Sequence, residues 1–88
     1  MSANIEIYTT GYCGFCVRAK ALLDRKELDY TEIRVDDEPE KRKEMMERSQ
    51  RRTVPQIFIN DEGIGGCDEL FALDRSGKLD EMTKRNKS

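Results

Sequence analysis

Residues Asn4 to Thr9 alternate, with Ile5 and Ile7 on one face and Glu6 on the other, which is the period of a half-buried strand. Thr10-Gly11-Tyr12 breaks the alternation. From Gly14 to Lys26 the apolar positions Val17, Ala21 and Leu22 recur at helical spacing, leaving Arg18, Lys20 and Arg25 for solvent. Alternation returns between Tyr30 and Val35, where Ile33 and Val35 interleave with Glu32 and Arg34. Strand, helix and strand in so short a stretch form a βαβ unit, whose crossover makes the two strands parallel. Asp36-Asp37-Glu38-Pro39 reads as the start of a second helix, with carboxylates to cap it and a proline in its first turn. That helix is strongly charged and runs to about Gln50, with Met45 and Met46 as its thin apolar face.

The second half changes character. Gln56-Ile57-Phe58-Ile59 is a short, almost wholly apolar strand, and Asn60-Asp61-Glu62-Gly63 supplies turn chemistry before a weaker strand around Gly63 to Gly65. A helix follows from about Cys67, carrying Leu70, Phe71 and Leu73, and Ser76-Gly77 interrupts it before a last helical stretch through Leu79 and Met82. The order β-α-β-α-β-β-α predicts an α/β domain: a four-stranded mixed sheet flanked by helices. With 88 residues, one domain spanning 1–88 with a single small core is expected. Charged residues make up 39% of the chain but sum to a net charge of −2, which implies no general attraction to nucleic acid or anionic membranes. No long apolar run and no basic segment leading into an apolar one is present, so a cytoplasmic protein without a membrane partner is expected.

Chemistry enters with Cys13 and Cys16, separated by Gly14-Phe15 where the first strand gives way to helix. A structural disulfide gains stability by closing a long loop of the unfolded chain, and two intervening residues offer almost none. A structural zinc site wants four Cys or His ligands, whereas the chain has three Cys and no His. Two thiols across the first turn of a helix suit a redox dithiol instead, because the helix N-terminus stabilises the first thiolate.

Cys13-Gly14-Phe15-Cys16, Thr53-Val54-Pro55-Gln56 and Gly65-Gly66-Cys67-Asp68, in that order and spacing, resemble the glutaredoxin family with its minimal thioredoxin fold. The stretches Arg18-Ala19-Lys20-Ala21-Leu22-Leu23 and Ile57-Phe58-Ile59 are similar to those of short bacterial dithiol members. The resemblance implies glutathione as co-substrate, and disulfide-containing or glutathionylated proteins as partners of a monomer. Cys13 is then the nucleophile and Cys16 the resolving thiol. It further implies a cis bond before Pro55, with Thr53 and Val54 pairing to the cysteinyl part of glutathione. Gly66, Cys67 and Asp68 would hold its γ-glutamyl end, Phe15 would form a wall, and Arg42 would meet the far carboxylate, with Arg51 and Arg52 as competitors. Asp68 has a simpler reading as a helix cap, and Cys67 as a packed thiol without a catalytic role.

Two positions depart from the family pattern. Thr10 stands where relatives carry a lysine, with Arg18, Arg51 or Arg52 as candidate replacements, and Gly14-Phe15 replaces the common Pro-Tyr. Gly-Phe is similar to monothiol members that bind a [2Fe-2S] cluster between two protomers with glutathione, which makes cluster binding through Cys13 an alternative. A glutathione-independent, thioredoxin-like electron donor is the other.

Overall fold

A computed structural model describes residues 4–83. The strands are β1 (Ile5–Thr9), β2 (Thr31–Arg34), β3 (Gln56–Ile59) and β4 (Glu62–Gly65). The helices are α1 (Gly14–Arg25), α2 (Pro39–Ser49), α3 (Cys67–Ser76) and α4 (Lys78–Met82). The sheet order is β2-β1-β3-β4, with β1 parallel to β2 and antiparallel to β3, and β4 antiparallel to β3. The expected α/β architecture with a four-stranded mixed sheet is therefore present.

Alternation along the central strands gives the sheet two apolar faces. Ile5, Ile7, Ile57 and Ile59 pack with Ala19, Leu22 and Leu23 of α1, Cys67 and Leu70 of α3, and Leu79 of α4. Tyr8 and Phe58 point the other way, against Met45 of α2 and Val35. Helices thus cover both faces, and no helix among the described residues is long and apolar enough to cross a membrane.

Three expectations need correcting. The buried stripe of α1 is Cys16, Ala19, Leu22 and Leu23, while Val17 and Ala21 are exposed. One residue is about 100° of helical turn, so Val17 lies well round from the stripe that Cys16 begins. Lys20 is partly buried rather than left to solvent, because Glu32 on the neighbouring strand binds its ammonium at 2.9 Å. Finally, no carboxylate side chain caps α2, whose N-cap is Glu38. Asp36 is taken instead by the loop before Cys13, accepting the Gly11 N–H at 3.0 Å.

The β3–β4 hairpin turns through Asn60 and Asp61, both in the left-handed region, the geometry of a type I′ turn and one that Asn and Asp tolerate better than other side chains.

Candidate active site

Strand direction gathers the three motifs at one end of the sheet. The C-terminal end of β1 lies beside the start of β3, since Tyr8 pairs with Gln56, and the end of β4 lies there too, since Gly65 pairs with Ile57. The loop to Cys13, the Thr53-Val54-Pro55 segment and the start of α3 therefore emerge together.

Cys13 is the N-cap of α1, in extended conformation, and its Sγ accepts the Cys16 N–H at 3.2 Å. An amide of the first helical turn, which has no partner within the helix, is thus satisfied by the sulfur. The Cys13 thiol also lies 3.6 Å from the Val54 carbonyl oxygen, to which it donates. Cys13 is partly exposed and Cys16 is 1% exposed, so only the first sulfur meets a substrate directly. Burial pushes the Cys16 thiol up to about 12, with the bond to Cys13 adding to the rise, while the Thr10 backbone and the Lys20 ammonium pull it back.

The Val54–Pro55 bond is cis. Val54 precedes β3, so its backbone lies outside the sheet pairing. The buried Gln56 amide donates to the Thr53 carbonyl and hydroxyl, at 2.9 and 3.3 Å, closing the segment on itself. Gly66 approaches it so closely that a Cβ there would stand 3.3 Å from the Pro55 carbonyl oxygen. The first motif thus touches the second at Cys13 and Val54, and the second touches the third at Pro55 and Gly66.

The start of α3 differs from expectation in one respect. Gly66 is the N-cap, and its N–H is taken by Glu69, at 2.8 Å, not by Asp68. Asp68 is exposed, so the simpler reading of it as a cap falls away. Glu69 also meets Arg51 at 3.6 Å, tying the segment before Thr53 to α3. Cys67 is buried within the apolar core, and that burial raises its thiol. Phe15, Tyr12 and Val17 are the large apolar side chains left exposed among the described residues, and all flank Cys13. Arg42 is half-buried on α2, and no hydrogen bond or ion pair among the described residues joins its side chain to this cluster.

A glutaredoxin family model matches residues 5–64, which carry the first two motifs. The chain belongs to the glutaredoxin family. It is 54% identical over 82 residues to glutaredoxin 3 of Escherichia coli K12, covering 93% of this chain and 99% of that one. Its fold is similar to the solution structure of glutaredoxin from Brucella melitensis, with a TM-score of 0.83 at 49% identity over 99% of this chain and 95% of that chain. It is also similar to the buckwheat glutaredoxin–glutathione complex, with a TM-score of 0.84 at 33% identity over 92% of this chain and 76% of that chain. Glutaredoxins are thiol–disulfide oxidoreductases, and so is this chain.

Several residues that serve the site carry no signal in the sequence pattern. Asp36 anchors the loop before Cys13, itself held by Arg34 at 2.6 Å, and both partners hold its carboxyl well below the usual range. Glu32 receives the Thr9 hydroxyl at 2.7 Å and the Lys20 ammonium at 2.9 Å on the same oxygen. Asp36 reads in the sequence as a cap for α2 and Glu32 as the polar position of an alternating strand, and the parallel pairing of β2 with β1 gives each its partner instead. No group of three or more His, Cys, Asp or Glu side chains among the described residues could hold a metal ion.

Proposed function

We propose that this glutaredoxin reduces glutathione mixed disulfides and protein disulfides with glutathione as co-substrate, Cys13 acting as nucleophile and Cys16 as resolving thiol. The observation that carries this is the environment of Cys13: a partly exposed sulfur at a helix start, receiving the Cys16 N–H at 3.2 Å and standing 3.6 Å from the Val54 carbonyl. In the one-cysteine route the Cys13 thiolate attacks the glutathione sulfur of a mixed disulfide. That S–S bond breaks, the substrate leaves as thiolate and takes a proton, and Cys13 carries glutathione. A second glutathione thiolate then displaces it as oxidised glutathione. In the two-cysteine route Cys13 first attacks a protein disulfide. Cys16 loses its proton and attacks Cys13 Sγ, the Cys13–Cys16 bond forms, and the substrate departs as dithiol.

Glutathione recognition rests on the convergence of the three motifs and on the likeness to a glutaredoxin solved with glutathione. Val54, with Thr53 and Pro55, offers backbone groups for the cysteinyl part. The amides of Gly66 and Cys67 and the carboxylate of Asp68 face the charges of the γ-glutamyl end. Because Glu69 occupies the Gly66 N–H, the Cys67 amide is the better placed of the two. Phe15 lines the approach to Cys13, and Arg42 serves the remote carboxylate. A monomer in the cytoplasm, where glutathione is abundant and reduced, completes the reading.

The test compares reduction of a glutathione mixed disulfide when electrons come from glutathione and glutathione reductase, or from thioredoxin reductase. Activity with the first pair is expected. Activity with thioredoxin reductase alone would make the protein a glutathione-independent donor.

A further inference from the structure

Cys16 is a poor nucleophile as it stands, being buried at the base of the active site. The charge relay beneath it addresses that difficulty. Lys20 lies four residues after Cys16 on α1, hence on the same helix face one turn along. Its ammonium is fixed by Glu32 Oε2 on β2 at 2.9 Å, and that oxygen is fixed in turn by the buried Thr9 hydroxyl on β1 at 2.7 Å. Lys20 is thus a cation immobilised from two strands. Its positive charge favours the Cys16 thiolate. Two of the influences that oppose the thiolate come from Cys13, through its hydrogen bond and its charge. Once Cys13 carries a disulfide its charge is gone, leaving burial against the Thr10 backbone and Lys20.

We propose that Lys20, held by Glu32 and Thr9, is a positioning residue for Cys16 that sets how readily the enzyme takes the two-cysteine route rather than the one-cysteine route. The inference rests on the reading of Cys16 as the resolving thiol. The step it controls is balanced: the Cys16 thiol gives up its proton to solvent and its sulfur attacks Cys13 Sγ. The Cys13–glutathione bond breaks, glutathione leaves reduced, and Cys16 and Cys13 end as a disulfide. It also changes the answer to the missing lysine at Thr10. A fixed cation stands at Lys20, one helical turn beyond the second sulfur. Arg18 lies against the Phe71 ring and acts on Cys67, and Arg51 is paired with Glu69.

The experiment mixes fully reduced protein with excess oxidised glutathione, quenches with acid and follows by mass the glutathione-carrying form and the internal disulfide. Wild type forms the first and converts it to the second. In Lys20→Met the glutathione-carrying form persists several-fold longer while its rate of formation stays within about twofold, and Lys20→Arg restores the conversion. Lys20→Gln gives the same result as Lys20→Met and serves if methionine impairs folding. Cys16→Ser separates the two levels of the argument, since it should arrest the chain at the glutathione-carrying form. Arrest by Cys16→Ser with unchanged conversion in Lys20→Met and Lys20→Gln overturns the role of Lys20 and leaves the resolving role intact. The relay would then only tie β2 to α1, visible as lower thermal stability and nothing else. Conversion that continues in Cys16→Ser overturns the resolving role, and with it the proposal.

Discussion

The backbone N–H of Cys16 donates to Cys13 Sγ at 3.2 Å, so the residue proposed as resolving thiol already holds the sulfur of the proposed nucleophile. The contact is made by the amide and not by the side chain, and replacing the Cys16 sulfur therefore leaves it in place. Cys13→Ser should abolish glutathione-coupled reduction of every substrate. Cys16→Ser should retain a substantial part of the activity on small glutathione mixed disulfides and lose reduction of protein disulfides, measured side by side in the same coupled assay.

Acid should weaken the tie between β1, β2 and α1. The Thr9 hydroxyl, and after it the Lys20 ammonium, hold the Glu32 carboxyl below the usual glutamate value of 4.5. A carboxyl lowered in the folded state adds stability that is fully present above the unfolded value and is lost as pH falls through the folded one. Wild type should therefore melt higher than Glu32→Gln above about pH 5, and the difference should shrink steadily below about pH 4.5. Thermal melts of both proteins from pH 7 to pH 3 check this. A constant difference across that range would remove Glu32 as its source.

Much of this was legible in the chain because it is carried by local pattern. The alternation of Ile5 and Ile7, the apolar run Gln56 to Ile59 and the glycines before Cys67 each mark an element without reference to the rest. What escaped is set by pairing across distance. Val17 and Ala21 fit a helical period as well as Ala19 and Leu23 do, and only the placement of α1 against the sheet and α3 decides which stripe is covered. Asp36 has the right chemistry to cap α2, yet β2 ends next to β1, and the Gly11 N–H competes for it successfully. Glu69 sits at the third position of α3, within reach of the N-cap amide, a role that only the geometry of the helix start reveals.

Gly14, beside Cys13, and Gly65, before α3, should respond oppositely to a methyl group. Gly65 has φ +116°, and a Cβ there would stand 2.9 Å from Glu69 Cγ, so both the backbone and the space resist a side chain. Gly65→Ala should lose more than about 1 kcal/mol of stability and loosen the start of α3. Gly14 opens α1, and a Cβ there meets nothing within 4 Å. Gly14→Ala should be neutral or stabilising by up to about 1 kcal/mol, because alanine is the better helix former and restricts the unfolded chain. Urea midpoints of the two variants, measured against wild type, should move in opposite directions or differ by the full cost of the first.

Arg48 offers a change in stability that should leave catalysis alone. Its guanidinium lies 4.0 Å from the Phe58 ring centroid and donates to the Tyr8 hydroxyl at 2.8 Å and to Glu6 at 3.0 Å. It also reaches Asp61 at 3.5 Å, in the β3–β4 turn at the end of the sheet away from Cys13. One planar cation thus fastens α2 to the face of the sheet opposite α1. Arg48→Leu keeps apolar volume over Phe58 but removes every one of those donors, leaving Glu6 without its ion-pair partner. A loss of about 2 kcal/mol is expected. Arg48→Lys should lose nearly as much, since a single ammonium cannot stack on the ring and serve three acceptors in the same plane. Because Arg48 lies over the face of the sheet opposite α1, and its Glu6, Phe58 and Asp61 partners stand toward the end away from Cys13, kcat and KM for a glutathione mixed disulfide should stay within about twofold of wild type at temperatures where both variants are folded. A larger fall in kcat in a folded variant would mean that the position of α2 is felt at Cys13, through Val54 packed on the same apolar cluster.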